Sequence, residues 1–154
     1  VEKCQRPMTS YIYEGDRNFS LEHIRQEYPV YGTTDYRHPA IEILQKNGSR
    51  ISEFVYEGYE ITAGKVKLQG LPATYTESDE EAMTLRVYLK DALTGVLLEL
   101  LYTVFSEYNA IARSVCVKNT GTETVHLLNV MSLSLDLPDQ DYVWMQEHGR
   151  ENAI

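Results

Sequence analysis

The groups in this 154-residue chain that could attack, move a proton or bind a ligand are four histidines, 23 acidic residues, two cysteines and twelve tyrosines. The histidines, His23, His38, His126 and His148, show no metal-site spacing, and each reads as a surface or interface residue. Cys4 and Cys116 form no C-x-x-C pair, and neither a Gly-rich phosphate loop nor a G-x-S-x-G elbow occurs. A catalytic carboxylate pair must face one pocket roughly 5–10 Å apart, which spacing along strands does not establish. Asp136, Asp139 and Asp141 flank Pro138 and could form a cation or sugar site. The simpler reading is a solvated acidic turn after a long strand, and the run Glu77 to Glu81 likewise reads as a solvated loop.

The aromatic residues say more. Twelve tyrosines stand against three phenylalanines and one tryptophan. Tyr is favoured where one side of the ring packs and the hydroxyl meets water, a partner or a sugar. Tyr11, Tyr13, Tyr28, Tyr31 and Tyr36 crowd the first forty residues. They either cover sheet faces or form an inter-subunit or sugar-facing surface. Two Asn-x-Ser sequons, at Asn18 and Asn47, are read as accidental, the second being a turn.

Charge and hydropathy remove whole classes of function. Fourteen Lys and Arg against 23 Asp and Glu give a net charge of −9. Phosphate-backbone binding needs clustered cations, so no nucleic-acid partner is expected. No apolar run approaches the ~20 residues of a membrane-spanning helix, and Glu99 interrupts the longest, Val96 to Leu101. Hydrophobic residues make up 43% of the chain, enough for a core. The two cysteines make no disulfide framework and fit a reducing compartment, with one bridge as the alternative. No leader is visible at Val1, and Glu151-Asn152-Ala153-Ile154 reads as cut, so a cytoplasmic piece of a longer protein is the expectation.

The elements that would position any site are strands. Residues 1–39 are irregular and Tyr-rich, with turn dipeptides such as Arg6-Pro7, Tyr28-Pro29 and His38-Pro39. One helical turn could start at Ser20. From Ala40 the period becomes two, and residues 40–154 read as sandwich sheets. Ile41 and Ile43 lead to Asn47-Gly48, a hairpin signal, with Ile51 to Tyr56 as the return strand. Glycines break up the segment from Gly58 to Pro72. Leu85, Val87 and Leu89 then alternate with Thr84, Arg86 and Tyr88. A meander follows, with strands at Val96–Phe105, Ala110–Lys118 and Val125–Leu137 separated by turns at Asp91–Gly95, Ser106–Asn109 and Asn119–Thr122. The expected class is all-β and antiparallel.

One segment is specific. The run Gln26-Glu27-Tyr28-Pro29-Val30-Tyr31-Gly32-Thr33-Thr34-Asp35-Tyr36-Arg37-His38-Pro39-Ala40 resembles a signature of the N-terminal domain of family 36 α-galactosidases. The likeness continues through Asn47-Gly48-Ser49, Gly70-Leu71-Pro72-Ala73-Thr74-Tyr75, Tyr102-Thr103-Val104-Phe105, Arg113-Ser114 and Asp136-Leu137-Pro138-Asp139. The resemblance implies part of a β-supersandwich of galactose-mutarotase-like fold, joined in the parent chain to a (β/α)₈ barrel and a C-terminal β-sandwich. It implies retaining hydrolysis of terminal α-linked galactose from melibiose, raffinose or stachyose. An Asp nucleophile and an Asp acid/base do this without metal or cofactor, and both lie in the barrel. No βα repeat appears here, so this piece is expected to be silent.

The resemblance also assigns residues. Bacterial relatives are often tetramers in which an N-terminal-domain loop narrows a neighbouring subunit's active site. Glu14-Gly15-Asp16-Arg17-Asn18-Phe19-Ser20 matches that loop, which makes Arg17, with Asp16, the candidate sugar contact. A guanidinium fork can grip two vicinal hydroxyls, although an ion pair of Arg17 with Asp16 or Glu14 is the simpler alternative. Tyr31, Gly32, Asp35, Arg37 and Pro39 are read as structural. His148 stands where relatives tend to carry Trp, which weakens any contact assigned to this end. Two other functions stay open. One is a free-standing sugar-binding sandwich using Trp144 and the Tyr-rich loops. The other is a mutarotase-like enzyme, for which His126 with Glu99 is the nominated pair.

Overall fold

Period-two hydrophobicity becomes six strands in the computed structural model, which describes residues 25–32, 37–68, 74–137, 141 and 143. The strands are β1 (Ile41–Leu44), β2 (Phe54–Ala63), β3 (Ala82–Asp91), β4 (Val96–Phe105), β5 (Ile111–Asn119) and β6 (His126–Val130). β2, β3, β4 and β5 form one four-stranded sheet in sequence order, and β1 pairs with β6 in a second. Every strand pair is antiparallel. The class is therefore the expected all-β, antiparallel one.

Register decides which side chains meet. Leu89, Leu98 and Val117 lie opposite one another across β3, β4 and β5, as do Val87, Leu100 and Val115. The small sheet packs on this apolar face. Ile41 and Ile43 of β1 meet Val96 and Leu98 of β4, all at most 1% exposed, with Tyr28, Val30, Phe54, Leu89 and Val117 around them. Each such side chain contributes about 1.5–3 kcal/mol by leaving water, so this cluster holds the layers together. The other face of β4 is mixed. There Thr84 donates to the Gly64 carbonyl at 2.7 Å and shares a 2.8 Å hydrogen bond with Thr103, so both buried hydroxyls are satisfied.

The β3–β4 turn is built by Asp91, which is only 2% exposed. One carboxylate oxygen accepts from the Leu93 and Thr94 amides at 2.8 and 3.1 Å, and the other from the Glu53 amide at 3.2 Å. Three N–H donors make the buried charge tolerable. Gly95 ends the turn with φ +72°, and a Cβ there would stand 2.7 Å from the Gly121 Cα. The β3–β4 and β5–β6 connections thus touch backbone to backbone, which only glycine permits.

Three expectations change. The Asn47-Gly48 turn forms, with Gly48 at φ +84° and the Gln45 amide donating to the Ser49 carbonyl at 2.8 Å. The chain does not return along β1, however. Asp91 holds the Glu53 amide, and β2 begins at Phe54 on the other sheet, while β1 takes β6 as its partner. β2 also runs straight through Gly58, because a bulge after Tyr56 absorbs the irregularity. The long strand foreseen over Val125–Leu137 is paired only at His126–Val130. β1 has four residues, so the ladder runs out of partner, and the Met131 amide donating to the Ala40 carbonyl at 2.8 Å is its last rung.

Candidate functional site

Four of the sequence blocks that carry the resemblance, far apart in the chain, converge on one cluster. Gln26 to Val30 ends beside the start of β1 and is held at three points. The Gln26 amide donates to Asp136 at 3.0 Å. The Tyr28 hydroxyl donates to the Met131 carbonyl at 2.7 Å. Glu27 accepts from the Tyr102 hydroxyl at 2.5 Å and from Arg113 at 3.0 Å, which ties the segment to β4 and β5. Val30 forms a parallel bridge with Ile41.

Arg113 and Tyr102 sit opposite each other on β5 and β4. The guanidinium carbon lies 3.7 Å from the centre of the Tyr102 ring, within cation–π range. Burial, and then the Glu27 hydrogen bond, push the Tyr102 phenol well above its usual value. Burial likewise pushes the Tyr28 phenol up to about 12, against a smaller opposing pull from Arg113. A phenol so raised stays protonated at any physiological pH. It serves as a fixed donor and not as an acid or base.

The second half of the signature is anchored in the same way. Arg37 forms an ion pair with Asp136, and the two side chains are 19% and 32% exposed. The Pro39 carbonyl accepts from the Asn129 amide side chain at 2.9 Å, and the Ala40 amide donates to the Pro29 carbonyl at 2.8 Å. Gly32 has φ +100°, and a Cβ there would fall 2.9 Å from Ile51. The Tyr31 carbonyl accepts from the Ser52 amide at 3.3 Å, while the Tyr31 ring is 47% exposed. Tyr31 and Pro39 thus contribute carbonyl acceptors, Gly32 a positive φ and Arg37 an ion pair. Asp35, Asp16, Arg17, His148 and Trp144 lie outside the described residues.

Two other nominations are resolved by the layers. Glu99 is 5% exposed and lies on the face of β4 opposite Leu98 and Leu100. It is ion-paired to Lys118 and, at 3.9 Å, to Arg86, and it holds the Lys118 ammonium above its usual value. His126 is exposed on β6, in the other layer. The His126–Glu99 pair needed by a mutarotase does not assemble, because strand parity aims Glu99 away from that layer. Asp136, read as part of an acidic turn, is instead the partner of Arg37. Opposite charges in two blocks of one signature were the available signal for that contact. No group of three or more His, Cys, Asp or Glu that could hold a metal ion occurs among the described residues.

Comparison with known proteins agrees with this architecture. The profile of the Glycosyl hydrolase family 36 N-terminal domain matches residues 2–151. Alpha-galactosidase AgaA of Geobacillus stearothermophilus is 45% identical over 142 residues, covering 90% of this chain and 20% of that protein. The bifunctional alpha-galactosidase/sucrose kinase AgaSK of Mediterraneibacter gnavus is 38% identical over 135 residues, covering 88% and 14%. Among solved structures, AgaA from Geobacillus stearothermophilus superposes with a TM-score of 0.79 at 41% identity, over 92% of this chain and 20% of that one. The alpha-galactosidase from Lactobacillus brevis gives 0.78 at 38%, over 87% and 18%. The chain thus spans about a fifth or less of the length of these relatives. The chain that fastens its signature in this way belongs to the glycosyl hydrolase family 36 N-terminal domain.

Proposed function

We propose that this chain is the non-catalytic N-terminal β-supersandwich portion of an α-galactosidase that removes terminal α-linked galactose from melibiose- or raffinose-type oligosaccharides with retention. The observation that carries the reading is the match of the N-terminal-domain profile to nearly the whole chain, with α-galactosidases as the relatives. Support for a silent piece comes from the fold. The described strands pair antiparallel in two layers, and a (β/α)₈ barrel needs about 250 residues of alternating strand and helix. Residues 40–154 form the sandwich part, and residues 1–39 carry the loop that reaches a substrate entrance.

In this reading the domain supports the barrel, takes part in a homo-oligomer, a tetramer in the parent, and narrows the entrance of a neighbouring subunit. Arg17, with Asp16, contacts sugar there, and the family chemistry needs no cofactor. The free thiol of Cys116 fits a cytoplasmic location.

The test compares the 154-residue chain with the full-length polypeptide that carries it. Raffinose should release galactose with the full-length protein and not with the chain alone. Galactose release by the purified chain, or none by the full-length protein, overturns the reading. In the full-length protein Arg17→Ala should raise KM with the fold intact, and an unchanged KM removes that assignment.

A further inference from the structure

The sheet end farthest from the core cluster carries a cleft that no contact described so far uses. It lies between the segment before β3 and the β4–β5 turn, and its volume is about 1170 Å³. Its floor is firmly built. The Glu81 carboxylate accepts from the Ser78 amide at 3.0 Å and from the Glu77 amide at 3.2 Å, closing one turn of 3₁₀ helix over Asp79–Glu81. The Ser106 amide donates to the Glu81 carbonyl at 2.9 Å, and the Phe105 amide to the Ala110 carbonyl at 3.2 Å, which joins the two walls.

Two aromatic rings open into this space, one from each wall. Tyr75 is 77% exposed and Tyr108 67%, among the most exposed large side chains described. Leaving such rings in water forfeits their burial, so they suit a ligand with an apolar face. Around them stand the carboxylates of Glu77, Glu80 and Glu107, all exposed and none engaged by a described side chain, and no Lys or Arg lines the cleft among the described residues. An anion is therefore repelled. The carboxylates alone make no site, and no metal-holding group occurs among the described residues. A ligand that offers C–H faces to the rings and hydroxyl donors to the carboxylates, while remaining uncharged, is a carbohydrate. The volume exceeds the roughly 300–1,000 Å³ of ordinary small-molecule sites, which suits several sugar rings better than one.

We propose that this cleft binds a neutral oligosaccharide, with Tyr75 and Tyr108 stacking on pyranose faces and Glu77, Glu80 and Glu107 accepting from its hydroxyls. The site does not rest on the hydrolase reading. Lost activity in the full-length protein would leave sugar binding here intact, and absent binding would leave the activity intact.

The test is a titration of the isotope-labelled 154-residue chain with raffinose and with galactose, followed by amide chemical shifts. Saturable shifts confined to residues 74–81 and 105–110 are expected, with a Kd on the order of millimolar and raffinose the tighter ligand. Tyr75→Ala and Tyr108→Ala should each weaken binding about 2- to 10-fold, the stacking contribution of one ring. Tyr75→Phe should retain it, and Tyr59→Ala, an equally exposed tyrosine on β2, should change nothing. Retention by Tyr75→Phe separates loss of the ring from loss of the fold. No saturable shift at tens of millimolar sugar, shifts that survive both alanine variants, or sugar displaced by a cationic peptide would each overturn the proposal, the last in favour of polypeptide docking.

Discussion

Replacing Asp136 by alanine should loosen the whole signature segment, and the structure sets the size of the effect. Asp136 receives Arg37 and the Gln26 amide, so it closes loops of about a hundred residues at a single carboxylate. An exposed ion pair contributes about 0–1 kcal/mol, whereas breaking a buried one costs about 3–5 kcal/mol. With the partners 19% and 32% exposed, this pair falls between, near 2 kcal/mol. The Gln26 amide loses its acceptor as well, which adds about 1 kcal/mol. A total near 3 kcal/mol would lower a urea midpoint by about 1–3 M at the slopes usual for small proteins. Arg37→Met should cost less, about 2 kcal/mol, because Asp136 keeps the Gln26 amide. The double variant should cost less than the sum of the two single losses, since the two share one contact. Chemical denaturation followed by far-UV circular dichroism on the wild type and the three variants measures all of this. Additive losses within about 0.5 kcal/mol would refute the coupling and with it the fastening role.

Other outcomes follow from the same contacts. Thr84→Val should cost about 1–3 kcal/mol, because it strands the buried Gly64 carbonyl and the Thr103 hydroxyl; adding Thr103→Val should recover part of the loss in a thermal melt. Leu98→Ala empties the centre of the core cluster and should cost about 2–5 kcal/mol by the same assay. Gly95→Ala forces a Cβ to 2.7 Å from the Gly121 Cα at a positive φ, and should lower the melting temperature where Gly48→Ala, with open space around it, lowers it less. Stability should also fall in alkali. The Tyr28 phenol is raised from 10.0 to about 12 in the fold, so the native state holds its proton longer than the unfolded chain does. Its contribution is complete below pH 10 and is lost as pH rises through about 12, and Tyr28→Phe should flatten that slope in pH-dependent denaturation.

Much of this architecture was written in the chain itself. Alternation of Leu85, Val87 and Leu89 and the turn residues Asp91 to Gly95 specify β3, its turn and β4 locally, because strand parity and turn chemistry act over a few residues. The strand Val96–Phe105 was legible to the residue for the same reason. The signature from Gln26 to Ala40 points to a family by its residues alone. Tertiary structure decided what each strand pairs with and what each polar side chain is for. The Asn47-Gly48 turn is local, but whether the chain returns to β1 depends on Asp91, 38 residues from the Glu53 amide it holds. Likewise Asp136 is an ordinary acidic residue in sequence, and only a contact across 99 residues makes it the partner of Arg37. Long-range pairing is a competition among all available partners, won by burial and charge complementarity that no short window contains.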